Sequence, residues 1–107
     1  MAEIKENPLL RDLQDYIQKG AEELGFDQLS AEERALMLGE EVGELFKAIR
    51  KAKGIVTDTP TGKIGEELAD VFLQTCAVAN FFEIDLERAF REKREKDKGR
   101  WQKDKKS

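Results

Sequence analysis

Apolar residues recur at helical intervals in four stretches of this chain. "NPLLRDLQDYIQKGAEEL" places Leu9, Leu10, Leu13, Tyr16 and Ile17 on one stripe, with Asn7 as the expected cap, Pro8 at the first helical position and Gly25 as the stop. "SAEERALMLGEEVGELFKAIRKAK" opens with Ser30 and Glu33 in the S-x-x-E capping arrangement, repeats apolar residues from Leu36 to Ile49, and halts at Gly54. "GIVTDTPTGK" mixes β-branched residues, Gly and Pro without a period, and predicts a loop. A third helix is expected from about Lys63 to Phe82 and a fourth from near Asp85. Between Phe90 and Trp101 the fourth stretch has no apolar residue, so core packing within this chain does not hold its second half. The pattern predicts an all-α, four-helix fold.

The second and third helices break their own pattern with acids. Glu40, Glu41 and Glu44 sit among Leu38, Val42 and Leu45, and Glu66, Glu67 and Asp70 among Ile64, Leu68, Val71 and Phe72. Residues three or four apart share a helix face, so Glu41 with Glu44 forms one carboxylate pair and Glu67 with Asp70 another. Surface salt bridges explain them poorly: four residues after Glu40, Glu41, Glu67 and Asp70 stand Glu44, Leu45, Val71 and Gln74, none a cation. Only Lys47 and Lys63 offer local partners. If the two helices pack antiparallel, four carboxylates gather in one partly buried place, and either protons or a cation must relieve their repulsion.

Composition narrows the chemistry. The 107 residues suit one domain, expected to span 1–107 with its core at about 8–90 and a basic helix and tail at 91–107. There is no histidine and a single cysteine, Cys76, which excludes an intrachain disulfide, histidine-dependent triads and zinc sites built on cysteine pairs. With oxygen ligands alone, the hard cations Mg²⁺ or Mn²⁺ are the natural choice, and carboxylates holding Mg²⁺ commonly meet substrate phosphates. No stretch approaches the length of a membrane helix, and "MAEIKENPLL" lacks the apolar core of a secretory signal, so a cytoplasmic protein without membrane contact is expected. Charge is divided: residues 91–107 hold nine Lys or Arg and four acids, a balance of +5, which leaves −9 of the net −4 on residues 1–90. The basic run is diluted by acids and carries one aromatic, Trp101, which argues against nucleic-acid binding.

"EEVGE" at 40–44, then 22 residues, then "ELAD" at 67–70 resembles the E-E-x-x-E … E-x-x-D signature of the MazG-like, all-α nucleoside triphosphate pyrophosphohydrolases. The flanking "LGEEVGELFKAIR" and "IGEELADVFLQTCAVANFFEIDLERAFREKREKDKGRW" are also similar to that family, which extends the resemblance over most of residues 30–101. It implies Mg²⁺-dependent hydrolysis of a nucleoside triphosphate, ordinary or non-standard, to the monophosphate and pyrophosphate, as in cleansing of the nucleotide pool. By matching positions, Glu41, Glu44, Glu67 and Asp70 would be metal ligands, and Glu40 would orient or deprotonate the attacking water. Asn80, Lys93, Lys96 and Arg100 would contact substrate. Asp97 departs from the asparagine often found at its position. Cys76, Ala77, Phe81, Tyr16, Phe46, Phe72 and Phe90 are expected in the core.

Narrower activities fit the same motif: a dUTP or dCTP pyrophosphatase, or a phosphoribosyl-ATP pyrophosphohydrolase. Outside enzymes, the alternative is an acidic helical module that pairs with partners through its stripes. A homodimer or homotetramer is expected. The second helix alone, at about 22 residues, spans roughly 33 Å, whereas a compact chain of this length has a radius of gyration of about 13 Å. One copy offers thin cover for stripes that long, so the four-helix fold is expected to be completed by a second copy.

Overall fold

The structure, a computed structural model, describes residues 3–55 and 62–106. Helices α1 (Leu10–Leu24), α2 (Ala31–Ala52), α3 (Ile64–Phe81) and α4 (Leu86–Lys106) follow in order, with a short 3₁₀ turn at Phe26–Gln28 between the first two. The described residues are thus all-helical, as the periodicity predicts, while the centre of the expected "GIVTDTPTGK" loop, 56–61, lies outside them.

Local chemistry sets the helix ends. Ser30 Oγ accepts from the Glu33 amide at 3.1 Å, and Glu33 Oε1 accepts from the Ser30 amide at 3.1 Å, so both partners of the predicted capping arrangement are engaged. Asp85 Oδ1 accepts from the Arg88 amide at 3.0 Å and caps α4 in the same way. Helix α1 corrects the expectation. It starts two residues late, because Asp12 Oδ2 accepts from the Leu9 amide at 2.9 Å and makes Leu9 the cap. Asn7 instead takes a left-handed φ of 53° in the approach to the helix. Gly25, at φ 80°, closes α1 in the left-handed conformation that glycine adopts at little cost.

Helices α2 and α3 form the principal antiparallel pair, α1 lies on α3, and α4 leans on α1. The junction of α1, α3 and α4 is polar. Gln14, buried on α1, donates through Nε2 to Asn80 Oδ1 at 3.1 Å and to the Ile84 carbonyl at 2.9 Å, and its Oε1 accepts from the Leu86 amide at 2.9 Å. Asn80 Nδ2 in turn donates to the Gln14 carbonyl at 3.0 Å. One side chain therefore ties the end of α3, the turn and the start of α4 to α1. Gln14→Ala leaves those part-buried groups without their partner and should destabilise the chain by about 1–3 kcal/mol. Urea unfolding measures this, and an unchanged midpoint would show that the junction is held by other contacts.

Apolar packing is sparse. Ala48, Cys76 and Ala79 are the buried apolar residues among those described, while Phe46 and Phe90 are each 65% exposed and Phe81 and Phe72 about two-fifths exposed. Of the side chains expected in the core, Cys76 is there and these four phenylalanines are not, because the stripes of α2, α3 and α4 are longer than the faces a single copy can set against them. The radius of gyration is 17.2 Å, beyond the roughly 13 Å of a compact chain. The exposed area is 8523 Å², against about 6,000 Å² for a compact 12.2 kDa monomer.

Candidate metal centre and its adjoining groove

Antiparallel pairing of α2 and α3 matches positions on the two helices in opposite order. Glu41 comes opposite Asp70 and Glu67, and further along Arg34 comes opposite Phe81, its guanidinium 5.1 Å from the ring centre. The helices thus bring one carboxylate oxygen from each of Glu41, Glu67 and Asp70 within 4.8 Å of one another. Glu67 is buried, Glu41 half-buried and Asp70 exposed. Burial, and then the charges of Asp70 and Glu67, hold the Glu41 carboxyl above its ordinary value; a hydrogen bond with Asp70 and the charge of Glu44 add to this. Three hard oxygen donors around one point are the donor set that suits a divalent cation such as Mg²⁺ or Mn²⁺.

The remaining predicted residues lie around or away from this group. Glu44 shares its helix face but pairs with Lys47 at 3.5 Å and stands outside the three-carboxylate set. Glu40 is exposed beside it. Asn80 is committed at both ends of its amide to Gln14. On α4, Asp97 collects the helix's own cations: Lys93 at 3.1 Å, Arg100 at 3.8 Å, and Arg94, which also lies over the rings of Phe90 and Trp101. The Lys93 hydrogen bond, ahead of the surrounding positive charges, draws the Asp97 carboxyl below its ordinary value. Lys96 has no ion pair among the described residues. Helix α4 packs on α1 and makes no extended contact with α2 or α3, so one copy does not gather Lys93, Lys96 and Arg100 onto the carboxylates.

Sequence reasoning passed over three residues of the site region. Gly62 abuts Glu67: a Cβ there would overlap Glu67 Oε1 and would stand 3.3 Å from Glu66 Oε2. A larger residue there would push the Glu67 carboxylate from its present position, and a lone glycine at a loop end offers no signal of this. Gln14 is legible only as a polar residue inside the α1 stripe. Arg34 is legible only as a basic residue early in α2, yet it lines a cavity of about 260 Å³ together with Tyr16, Ile17, Met37, Leu73 and Gln74. That cavity begins one helical turn from the carboxylates, since Met37 precedes Glu41 by four residues and Gln74 follows Asp70 by four.

No described helix is long and apolar enough to cross a membrane. A search of curated proteins found no match. Two solved structures, both crystal structures of iMazG from Vibrio DAT 722, are similar to this chain. The form with an N-terminal tag is 34% identical with a TM-score of 0.66, covering 87% of this chain and 97% of the other. The form with a C-terminal tag is 35% identical with a TM-score of 0.65, covering 85% and 99%. Residues 29–103 match the MazG nucleotide pyrophosphohydrolase domain, a span that includes both carboxylate pairs and most of the basic helix. With a match to that domain over residues 29–103 and a fold shared with iMazG at 34% identity, this chain belongs to the MazG nucleotide pyrophosphohydrolase family.

Proposed function

We propose that residues 1–107 act as one domain that hydrolyses nucleoside triphosphates, ordinary or non-standard, to the monophosphate and pyrophosphate with Mg²⁺, in the cytoplasm, as a homodimer or homotetramer. The observation that carries this reading is the meeting of Glu41 with Glu67 and Asp70 across the α2–α3 pair. Those three, with Glu44 joining from the same face, would hold Mg²⁺. The ion supplies charge neutralisation for phosphate oxygens and acidity for water. Glu40, exposed one residue before Glu41, would orient the attacking water and take its proton. The absence of a Cβ at Gly62 leaves the Glu67 carboxylate room to join the group.

Oligomerisation is supported by the excess exposed area and by the uncovered Phe46, Leu68 and Phe72 on the helices that carry the acids. It also offers α4 a role, because a polyphosphate on the carboxylates of one copy could meet Lys93, Lys96 and Arg100 of another. Replacing all three cations with Ala should raise KM for nucleotide about tenfold or more while leaving Mg²⁺ affinity within about twofold. Equal losses of both would place these side chains in the fold rather than on the substrate. The decisive assay incubates the protein with each nucleoside triphosphate and Mg²⁺ and resolves the products. Monophosphate with pyrophosphate is expected. Nucleoside diphosphate with inorganic phosphate, or no product together with no Mg²⁺ binding, would overturn the assignment.

A further inference from the structure

Arg34 is 8% exposed, and its charge has no carboxylate partner among the described residues. Its Nε donates to the Leu29 carbonyl and its Nη2 to the carbonyls of Phe26 and Asp27, each at 3.2 Å. Nη1, with two N–H donors, is left without a protein acceptor among the described residues. The one acid on the cavity wall, Glu23, is exposed and forms no ion pair with it. The face of Phe81 offsets part of the cost of burying this charge, but it accepts no conventional hydrogen bond. A mostly apolar cavity therefore carries in its wall a buried, firmly held cation whose remaining donors must be met by water or by a ligand that enters the cavity.

The register says which part of a ligand that would be. Arg34 stands seven residues before Glu41 and Ala77 seven after Asp70, two helical turns on the same faces of α2 and α3. Two turns rise about 10 Å, the reach of a nucleotide from its phosphate through its sugar to the far edge of its base. A triphosphate seated on the carboxylates would pass its sugar by Met37 and Gln74 and bring its base to Tyr16, Ile17 and Arg34.

We infer that Arg34 is a specificity-determining residue: the cavity takes the substrate's nucleobase, and Nη1 donates to a carbonyl at the base edge farthest from the sugar. This rests on the pyrophosphohydrolase reading given above. Bases with a keto group at that edge, such as uracil, thymine, guanine and hypoxanthine, are accepted. Cytosine and adenine present an amino group there, a donor facing donors, and are disfavoured.

Nucleosides without phosphate test the cavity apart from the metal centre. The intact protein in metal-free buffer is titrated with deoxyuridine against deoxycytidine and with deoxyinosine against deoxyadenosine, following the amide resonances of Gly20 and Ala77 on the cavity wall. The keto member of each pair should bind about ten- to a hundredfold more tightly, and Arg34→Lys, which keeps the charge but loses the fork, should level the pair. Because Arg34 also ties down the 3₁₀ turn, a second variant is needed. Gly20→Leu has open space for its Cβ and sends its side chain into the cavity, so it should block all four nucleosides without loss of helix content. Equal affinities within each pair, or no shift at Gly20 and Ala77 with any nucleoside, overturns the inference. Failure to release pyrophosphate from any triphosphate would instead remove the hydrolase reading and leave the titration to decide about Arg34.

Discussion

Glu41→Gln should lower turnover by on the order of 10²–10³-fold, the scale seen when one charged or polar stabiliser is removed from a preorganised site, and should weaken Mg²⁺ binding with it. Asp70→Asn should do the same, since both side chains lend an oxygen to the same point. Fold and stability should move the other way. Glu41 binds its proton more tightly in the folded chain than in the unfolded one. The linked stability is fully present below the unfolded value, about 4.3, and is lost as pH rises through the raised folded value. In metal-free buffer near neutral pH the wild type carries that penalty, and Glu41→Gln removes it. Thermal unfolding with chelator should show the variant melting higher than wild type at neutral pH, with the difference vanishing in acid. Added Mg²⁺ should reverse the order, because ligand binding to the folded state stabilises only the protein that retains the site. A variant with unchanged Mg²⁺ affinity by calorimetry would remove Glu41 from the metal centre.

The second large effect concerns assembly. Light scattering at micromolar concentration should give a multiple of the 12.2 kDa chain mass, and the melting temperature should rise with protein concentration. Phe46→Glu or Leu68→Glu places a charge on a stripe that a single copy leaves bare. Each apolar side chain of this size is worth about 1.5–3 kcal/mol when buried, so either change should shift the assembly toward monomer. Activity should fall together with assembly if α4 of one copy serves the carboxylates of another. A folded, active species at the monomer mass would show that the open stripes need no cover.

Much of the local structure was legible in the sequence because it depends on neighbours along the chain. The Ser30–Glu33 capping pair, Asp85 before α4, Gly25 after α1 and the helical stripes all act over three or four residues, and the structure holds each of them. The start of α1 was misplaced for the same kind of reason. Asn7 with Pro8 and Leu9 with Asp12 are competing local signals, and the carboxylate that reaches the Leu9 amide prevails.

The candidate site divides along the same line. The residues alone indicate a helical chain, acids that interrupt the apolar faces of two helices at i, i+3 spacing, and a hard cation for any site those acids make, since there is no histidine and only one cysteine. Helical periodicity and residue chemistry suffice for those statements. Only the tertiary structure decided which acids meet, because that depends on the register of α2 against α3. Glu41, Glu67 and Asp70 converge, while Glu44 turns to Lys47 and α4 stays with α1. The same register places Arg34 and Ala77 two turns beyond the acids and opens the cavity between them. No interval along a single helix encodes that pairing. It arises where two faces meet, and there a basic residue of no distinction in the sequence becomes a buried cation in want of an acceptor.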